Sequence, residues 1–172
     1  MPRRLLRNGR VVADDWAYLA KPGNDAGAPG AAAPPDGAFG LILTFDQWLA
    51  DKAKWLGATE RLGVVLSPAH KVELLAPDLA RFQLVGAEFP GPSEGRGYTQ
   101  GRLLRERYQW TGELRATGYV RRDQLFFLAR CGFNSFELPD GEMESAAGAF
   151  STFSAEYQPS NDAGLALKLK RR

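Results

Sequence analysis

Between Leu41 and Leu138, short apolar runs alternate with helical patterns, and this alternation most constrains the fold. The runs are Leu41-Ile42-Leu43-Thr44, Leu62-Gly63-Val64-Val65-Leu66, Phe82 to Phe89, Glu113 to Ala116 and Phe136-Glu137-Leu138. They recur roughly every 20 to 25 residues, too far apart for hairpins and about right for helical crossovers between parallel strands. The expected class is α/β, with a mostly parallel sheet of about five strands and flanking helices. Periodicity leaves a doubly wound sheet and a partial β/α barrel open. In either, ligands bind beyond the carboxyl ends of the strands.

The segments between the runs support this reading. Thr44 or Asp46 can cap a helix carrying Trp48, Leu49, Lys52 and Trp55, with Gly57 as its stop. A helix over about Tyr98 to Tyr108 presents Leu103, Leu104 and Tyr108 as its apolar stripe. Another, Arg121 to Arg130, buries Leu125, Phe126, Leu128 and Ala129. A last helix is expected from about Glu142 to Tyr157. Ahead of the α/β domain (39–158), residues 1–20 read as a β-hairpin extension. There Asn8-Gly9 supplies the positive φ angles of a type I′ turn between Leu5-Leu6 and Val11-Val12. Trp16, Tyr18 and Leu19 fold the hairpin onto the domain edge. Residues 21–38 are rich in glycine, alanine and proline and read as a flexible loop; residues 159–172 read as a basic tail.

Composition narrows the function classes. A net charge of +2 over 172 residues argues against a nucleic-acid or membrane partner by bulk charge. No run approaches the roughly 20 apolar residues of a spanning helix, and the N-terminus lacks the apolar stretch of a signal peptide. One cysteine, Cys131, permits no intrachain disulfide and suits a cytoplasmic protein. One cysteine and one histidine cannot build a structural zinc site or hold an iron–sulfur cluster. No dinucleotide loop or P-loop is visible, so no cofactor is expected. The histidine, His70, lies in the loop Ser67-Pro68-Ala69-His70 and reads as a surface residue.

The charge that matters is local. Between Arg96 and Arg130 stand eight arginines against three acids, with no lysine. Arginine's planar fork suits oxyanions and carboxylates. Three segments are expected to converge at the strand ends. In the first, Glu88 is followed by Glu94-Gly95-Arg96-Gly97, whose glycines allow close approach and whose following helix offers N–H groups to an anion. In the second, Arg115 lies in an otherwise buried strand with Gly118 and Tyr119 after it, and Glu88 is its expected carboxylate partner. In the third, Arg121 and Arg122 oppose a helix dipole that Asp123 complements. Glu94, Gly95, Arg96, Gly97, Arg115, Arg121 and Arg122 are therefore the anion- or partner-binding candidates. Glu88 and Asp123 are the candidate acid or base. Whether the chain catalyses anything is left open by these residues.

The segments Ala87-Glu88-Phe89-Pro90, Glu94 to Thr99, Leu103 to Tyr108, Thr111 to Ala116, Arg122-Asp123-Gln124-Leu125 and Arg130-Cys131-Gly132-Phe133 together resemble one bacterial family of unknown function. The resemblance covers roughly residues 40 to 158. The family is commonly encoded beside assimilatory sulfite reductase, and its members are sometimes labelled oxidoreductases of sulfite reduction. Two positions depart from its pattern. Glu94 stands where the family commonly has Asp before Gly-Arg-Gly, and Tyr119 where an Asp follows the glycine of Arg-Ala-x-Gly. The resemblance implies an accessory protein of sulfur assimilation that binds sulfite reductase, or its acidic electron donor, through the arginine-rich face. The residues themselves also allow a small oxyanion-binding enzyme or ligand-binding domain. A flavin or nicotinamide oxidoreductase ranks behind both, for want of a nucleotide-binding loop.

Overall fold

The computed structural model describes residues 3–19 and 40–147. The expected loop at 21–38, the tail at 159–172 and most of the last helix lie outside the described residues. Among the described residues, eight strands form one sheet: β1 (Arg4–Arg7), β2 (Arg10–Ala13), β3 (Trp16–Tyr18), β4 (Gly40–Thr44), β5 (Arg61–Leu66), β6 (Phe82–Phe89), β7 (Glu113–Gly118) and β8 (Ser135–Phe136). Six helices accompany them: α1 (Phe45–Ala50), α2 (Lys52–Leu56), α3 (Val72–Leu75), α4 (Arg96–Glu106), α5 (Leu125–Arg130) and α6 (Met143–Ala147). Three short 3₁₀ segments, Ala76–Arg81, Arg122–Gln124 and Asp140–Glu142, join the set.

The sheet order is β2-β1-β8-β7-β6-β5-β4-β3. From β3 to β8 the strands are parallel and sequential, with no reversal. Right-handed crossovers between sequential parallel strands place every connecting helix on the same face. A doubly wound sheet would need a reversal and helices on both faces, so the order matches the partial-barrel alternative.

The curl of the sheet follows from chain length. The two edge strands, β2 and β3, are joined only by Asp14 and Asp15. Consecutive Cα atoms are about 3.8 Å apart, so Ala13 and Trp16 lie within about 11 Å. A flat sheet of this width would hold its edges about 34 Å apart at roughly 4.8 Å per strand. The sheet therefore bends into a half-barrel, with the two-residue link crossing toward its inner face.

Local chemistry explains the elements. Asn8 (φ 51°) and Gly9 (φ 75°) make the hairpin turn as expected. Thr44 caps α1 in a capping box: its hydroxyl accepts from the Gln47 N–H, and the Gln47 side chain accepts from the Thr44 N–H. The single helix expected over Trp48 to Trp55 is broken at Asp51, whose backbone leaves the helical region. Four of the expected strands are present as β4 to β7; the fifth, expected over Phe136 to Leu138, is the shorter Ser135–Phe136. The hairpin and the short β3 raise the total to eight, because β1 pairs with β8 and β3 pairs with β4 at the far edge.

Alternation sorts each strand into two faces. Leu43, Val64, Leu66, Val85, Ala87, Phe89, Leu114, Ala116 and Phe136 face the helices, in one core with Phe45, Trp48, Leu75, Leu104, Leu125 and Leu128. Helix α4 approaches closely because Gly97 and Gly101 stand one turn apart. A methyl group at Gly97 would meet the Phe89 ring at 2.5 Å, and one at Gly101 the Phe133 ring at 2.4 Å. The inner face has its own small apolar cluster, Trp16, Ile42, Val65 and Leu84.

Candidate functional site

Most of the other side chains on the inner face are polar, and register arranges them in layers. Arg115 on β7 stands beside Gly86 on β6 and Ser135 on β8. Its side chain is fully buried and meets Asp14 at 3.0 Å, Glu113 at 2.8 Å and Glu137 at 3.4 Å. Arg3 also binds Asp14 and Glu137, and Arg7 binds Glu113 at 3.1 Å and Asp15 at 3.0 Å. Arg61 reaches Asp15 at 3.4 Å. Four guanidinium groups and four carboxylates thus balance across the curl. Burial opposes the charge of Arg115, but Asp14 and Glu113 more than offset it and hold its pKa above the ordinary value.

This overturns the expected pairing of Glu88 with Arg115. Both face inward, but Arg115 is level with Gly86 and Glu88 is level with Thr117. That is two residues, or about 6.6 Å, further along the strand. Arg115 is neutralised by neighbours and by a link 101 residues earlier in the chain.

The layer above, at the carboxyl ends of the strands, is a second polar row. Ser67 follows Leu66, which pairs with Ala87, so Ser67 stands beside Glu88; Glu88 pairs with Thr117. Glu137 comes next, accepting from the Thr117 hydroxyl at 3.0 Å. Tyr18 donates its hydroxyl to Glu137 at 2.7 Å. Burial, then Glu137, pushes the Tyr18 phenol well above its usual range. At the other end of the row, His70 Nε2 lies 3.2 Å from Asp46 Oδ1. The Ser67 N–H donates to His70 Nδ1 at 3.1 Å. Nδ1 is thus an acceptor, and the ring proton sits on Nε2, facing Asp46. The Ser67 hydroxyl is also 3.1 Å from Nδ1. That lone pair is already engaged by the backbone, so the trio is not an activated serine nucleophile. Gln100 on α4 locks the turn, donating to the carbonyls of Ser67 and His70 at 2.8 Å each.

Glu88 lies between these two bonded groups and has no hydrogen-bond donor among the described residues. Burial raises its pKa, with His70 opposing. Sequence reasoning picked out Glu88 but not its neighbours. Asp46, Ser67 and His70 are scattered, and the Ser67–His70 turn was the only local signal.

Several of the other expected site residues have found internal partners. Glu94 accepts from the Arg96 N–H at 3.0 Å and from its guanidinium at 2.9 Å, so the start of α4 already holds a carboxylate. The Arg96 side chain in turn holds the Glu94 carboxyl below its usual range. Gly97 packs on Phe89, whereas the Cβ position of Gly95 is open. Arg121 pairs with Glu142 at 2.8 Å, and the Arg122 N–H donates to the same carboxylate at 3.1 Å. The negative charge expected opposite these arginines is therefore Glu142. Asp123 sits near the Tyr98 hydroxyl, in the 3₁₀ turn before α5. Arg105 is also internal, donating to the carbonyls of Gly132, Trp110 and Gly112. Cys131 is buried, and burial raises its thiol pKa.

What stays on the outside is a mixed aromatic and arginine surface over α4 and α5. Phe127 is 54% exposed and packs on Tyr98 with ring centroids 5.0 Å apart. Tyr119 is 37% exposed and lies under Arg121. Arg122 has no carboxylate partner for its side chain among the described residues. Arg102 pairs with Glu106, four residues on along the exposed helix face.

Among the described residues, no three His, Cys, Asp or Glu side chains are grouped to hold a metal ion, and no helix is long and apolar enough to cross a membrane. No curated protein matches this sequence. A family model, described as a bacterial protein of unknown function (DUF934), matches residues 63–167, from β5 through the sheet to beyond α6. The chain belongs to the DUF934 family of bacterial proteins of unknown function.

Proposed function

We propose that the protein is an accessory protein of assimilatory sulfite reduction, docking on sulfite reductase or its acidic electron donor through the outer surface of α4 and α5. The observation that carries this reading is Phe127, half-exposed and packed on Tyr98, on the two segments (96–106 and 121–130) that also carry Arg96, Arg102, Arg121 and Arg122. Aromatic residues and arginine are enriched at interface hot spots. The exposed ion pairs here, such as Arg102 with Glu106, each contribute about 0–1 kcal/mol. A partner's carboxylates can exchange with them at little cost. An acidic donor would be steered by the same arginines. The family resemblance supplies the pathway.

The oxyanion alternative has less support. Arg115 is spent on three carboxylates, Glu94 occupies the helix end, and Glu88 would repel an anion at the strand ends.

The test is gel filtration with the sulfite reductase of the same organism at low and high salt, with an absorption spectrum of each fraction. Co-elution at low salt, lost at high salt and lost in Phe127→Ala/Arg122→Glu, is the expected result. Absence of co-elution at low salt, or complete indifference to the double substitution, would overturn it. A flavin spectrum in the isolated protein would replace it with an intrinsic redox role.

A further inference from the structure

The turn after β5 carries the chain's only histidine, and three elements meet on it. Ser67 to His70 is a four-residue turn, closed by the His70 N–H donating to the Ser67 carbonyl at 3.1 Å, with Pro68 at its second position. The imidazole bonds back to the start of the turn. Its Nδ1 accepts from the Ser67 N–H at 3.1 Å, and its Nε2–H faces Asp46 of α1 at 3.2 Å. The ring packs edge-on against Phe45, with centroids 5.1 Å apart. Gln100 of α4, itself buried, donates to the carbonyls of Ser67 and His70. One imidazole thus ties the end of β5 to α1, and one amide ties the same turn to α4. His70 keeps 18% of its side chain exposed, so a proton from solvent can reach it.

This arrangement admits only one protonation state. An imidazole has an acceptor nitrogen only while it is neutral; once protonated, both nitrogens are donors. The Ser67 N–H is a donor too, so it cannot stay bonded to a protonated Nδ1. The Ser67 hydroxyl can take its place: its oxygen is 3.1 Å from Nδ1 and can accept from it. Proton uptake is therefore an exchange of partners. Nδ1 passes from the Ser67 N–H to the Ser67 Oγ, the backbone N–H is released, and Nε2 gains an ion pair with Asp46. From α1, Asp46 faces the ring, and from β6, Glu88 reaches it electrostatically; both carboxylates favour the cation. Helix α4 presents the neutral Gln100, and Lys71, next in the chain, is exposed. Histidine is the side chain whose charge ordinarily changes between about pH 5 and 8. We propose that the Ser67–His70 turn is a pH-sensitive latch, closed by the neutral imidazole on the Ser67 N–H and released when His70 takes up a proton. The latch does not depend on the docking reading, so either can fail alone.

The test is proton and nitrogen NMR of the full-length protein, titrated from about pH 8 to pH 5. A single histidine gives one set of imidazole signals, whose nitrogen shifts report both tautomer and ionisation. The Ser67 amide reports the latch through its protection from solvent exchange, corrected for the intrinsic pH dependence of exchange. The expected result is an Nε2–H imidazole at the alkaline end. Protection of the Ser67 amide should then fall by about fivefold or more in step with His70 ionisation, the worth of one ordinary hydrogen bond. His70→Asn is the locked variant: its Oδ1 can stand in for Nδ1, accepts from the same N–H and takes up no proton in this range. There the protection should hold throughout. An Nδ1–H tautomer at the alkaline end would overturn the proposal. So would a Ser67 protection that stays constant while His70 ionises. An equal loss of protection in His70→Asn would also overturn it, by assigning the change to Glu88 or Asp46.

Discussion

Replacing Arg115 by methionine tests whether that arginine is structural or a ligand group. The side chain is fully buried and contacts Asp14, which is also fully buried, together with Glu113 and Glu137. Methionine removes the charge while filling much of the space. Asp14 would keep Arg3, but Glu113 would keep only Arg7, and the cluster would carry one uncompensated negative charge. Breaking a buried ion pair from one side costs about 3–5 kcal/mol, because a charge is left desolvated without its partner. At roughly 2 kcal/mol per molar urea for a chain of this size, the unfolding midpoint should fall by about 1.5–2.5 M. The companion substitution Asp14→Leu should cost a similar amount. The double variant should recover part of the loss, since exchanging a whole buried pair for apolar groups is often nearly neutral. The assay is urea denaturation of all four proteins, followed by tryptophan fluorescence and far-ultraviolet circular dichroism. A loss below about 1 kcal/mol for Arg115→Met would refute the reasoning, as would strictly additive losses in the double variant. Either would mean that the cluster is solvated and that Arg115 is open to an external anion after all.

Other consequences can be measured in the same way. Gly97→Ala and Gly101→Ala push a methyl group into Phe89 and Phe133; each should cost about 1–3 kcal/mol by overpacking, read from thermal or urea unfolding. Trp48→Phe deletes the 3.0 Å hydrogen bond from the indole N–H to Asp78 and should cost about 1 kcal/mol or more, with the Asp78–Lys52 pair left intact. Burial holds the folded-state pKa of Glu88 above the ordinary carboxylate value. Its contribution to stability is therefore fully present below that value and is lost as pH rises through the raised folded-state pKa. Glu88→Gln should accordingly be more stable than the parent at neutral pH, with the advantage vanishing in acid; equal pH–stability curves would contradict this. Tyr18 should ionise well after the exposed tyrosines in an alkaline absorbance titration, and Glu137→Gln should bring it closer to them.

The sequence by itself determined the local elements. The five runs that became β4 to β8 announced themselves through apolar content and spacing. Asn8-Gly9 announced its turn, and Thr44 with Gln47 its helix cap. These signals are short-range, set by backbone sterics and by hydrogen bonds spanning three or four residues. Only the tertiary structure decided the rest. Trp16–Tyr18 is too short to declare itself a strand, and it becomes one because β4 offers it an edge. Asp14 and Asp15 look like any polar link until the sheet curls and brings its two edges together over Arg115. Glu88 and Arg115 look like partners along the chain, but register puts them in different layers. The row of Asp46, Ser67, Glu88, Thr117 and Glu137 joins five segments whose alignment depends on how parallel strands stagger. That stagger comes from side-chain packing across the whole sheet, which no local stretch encodes.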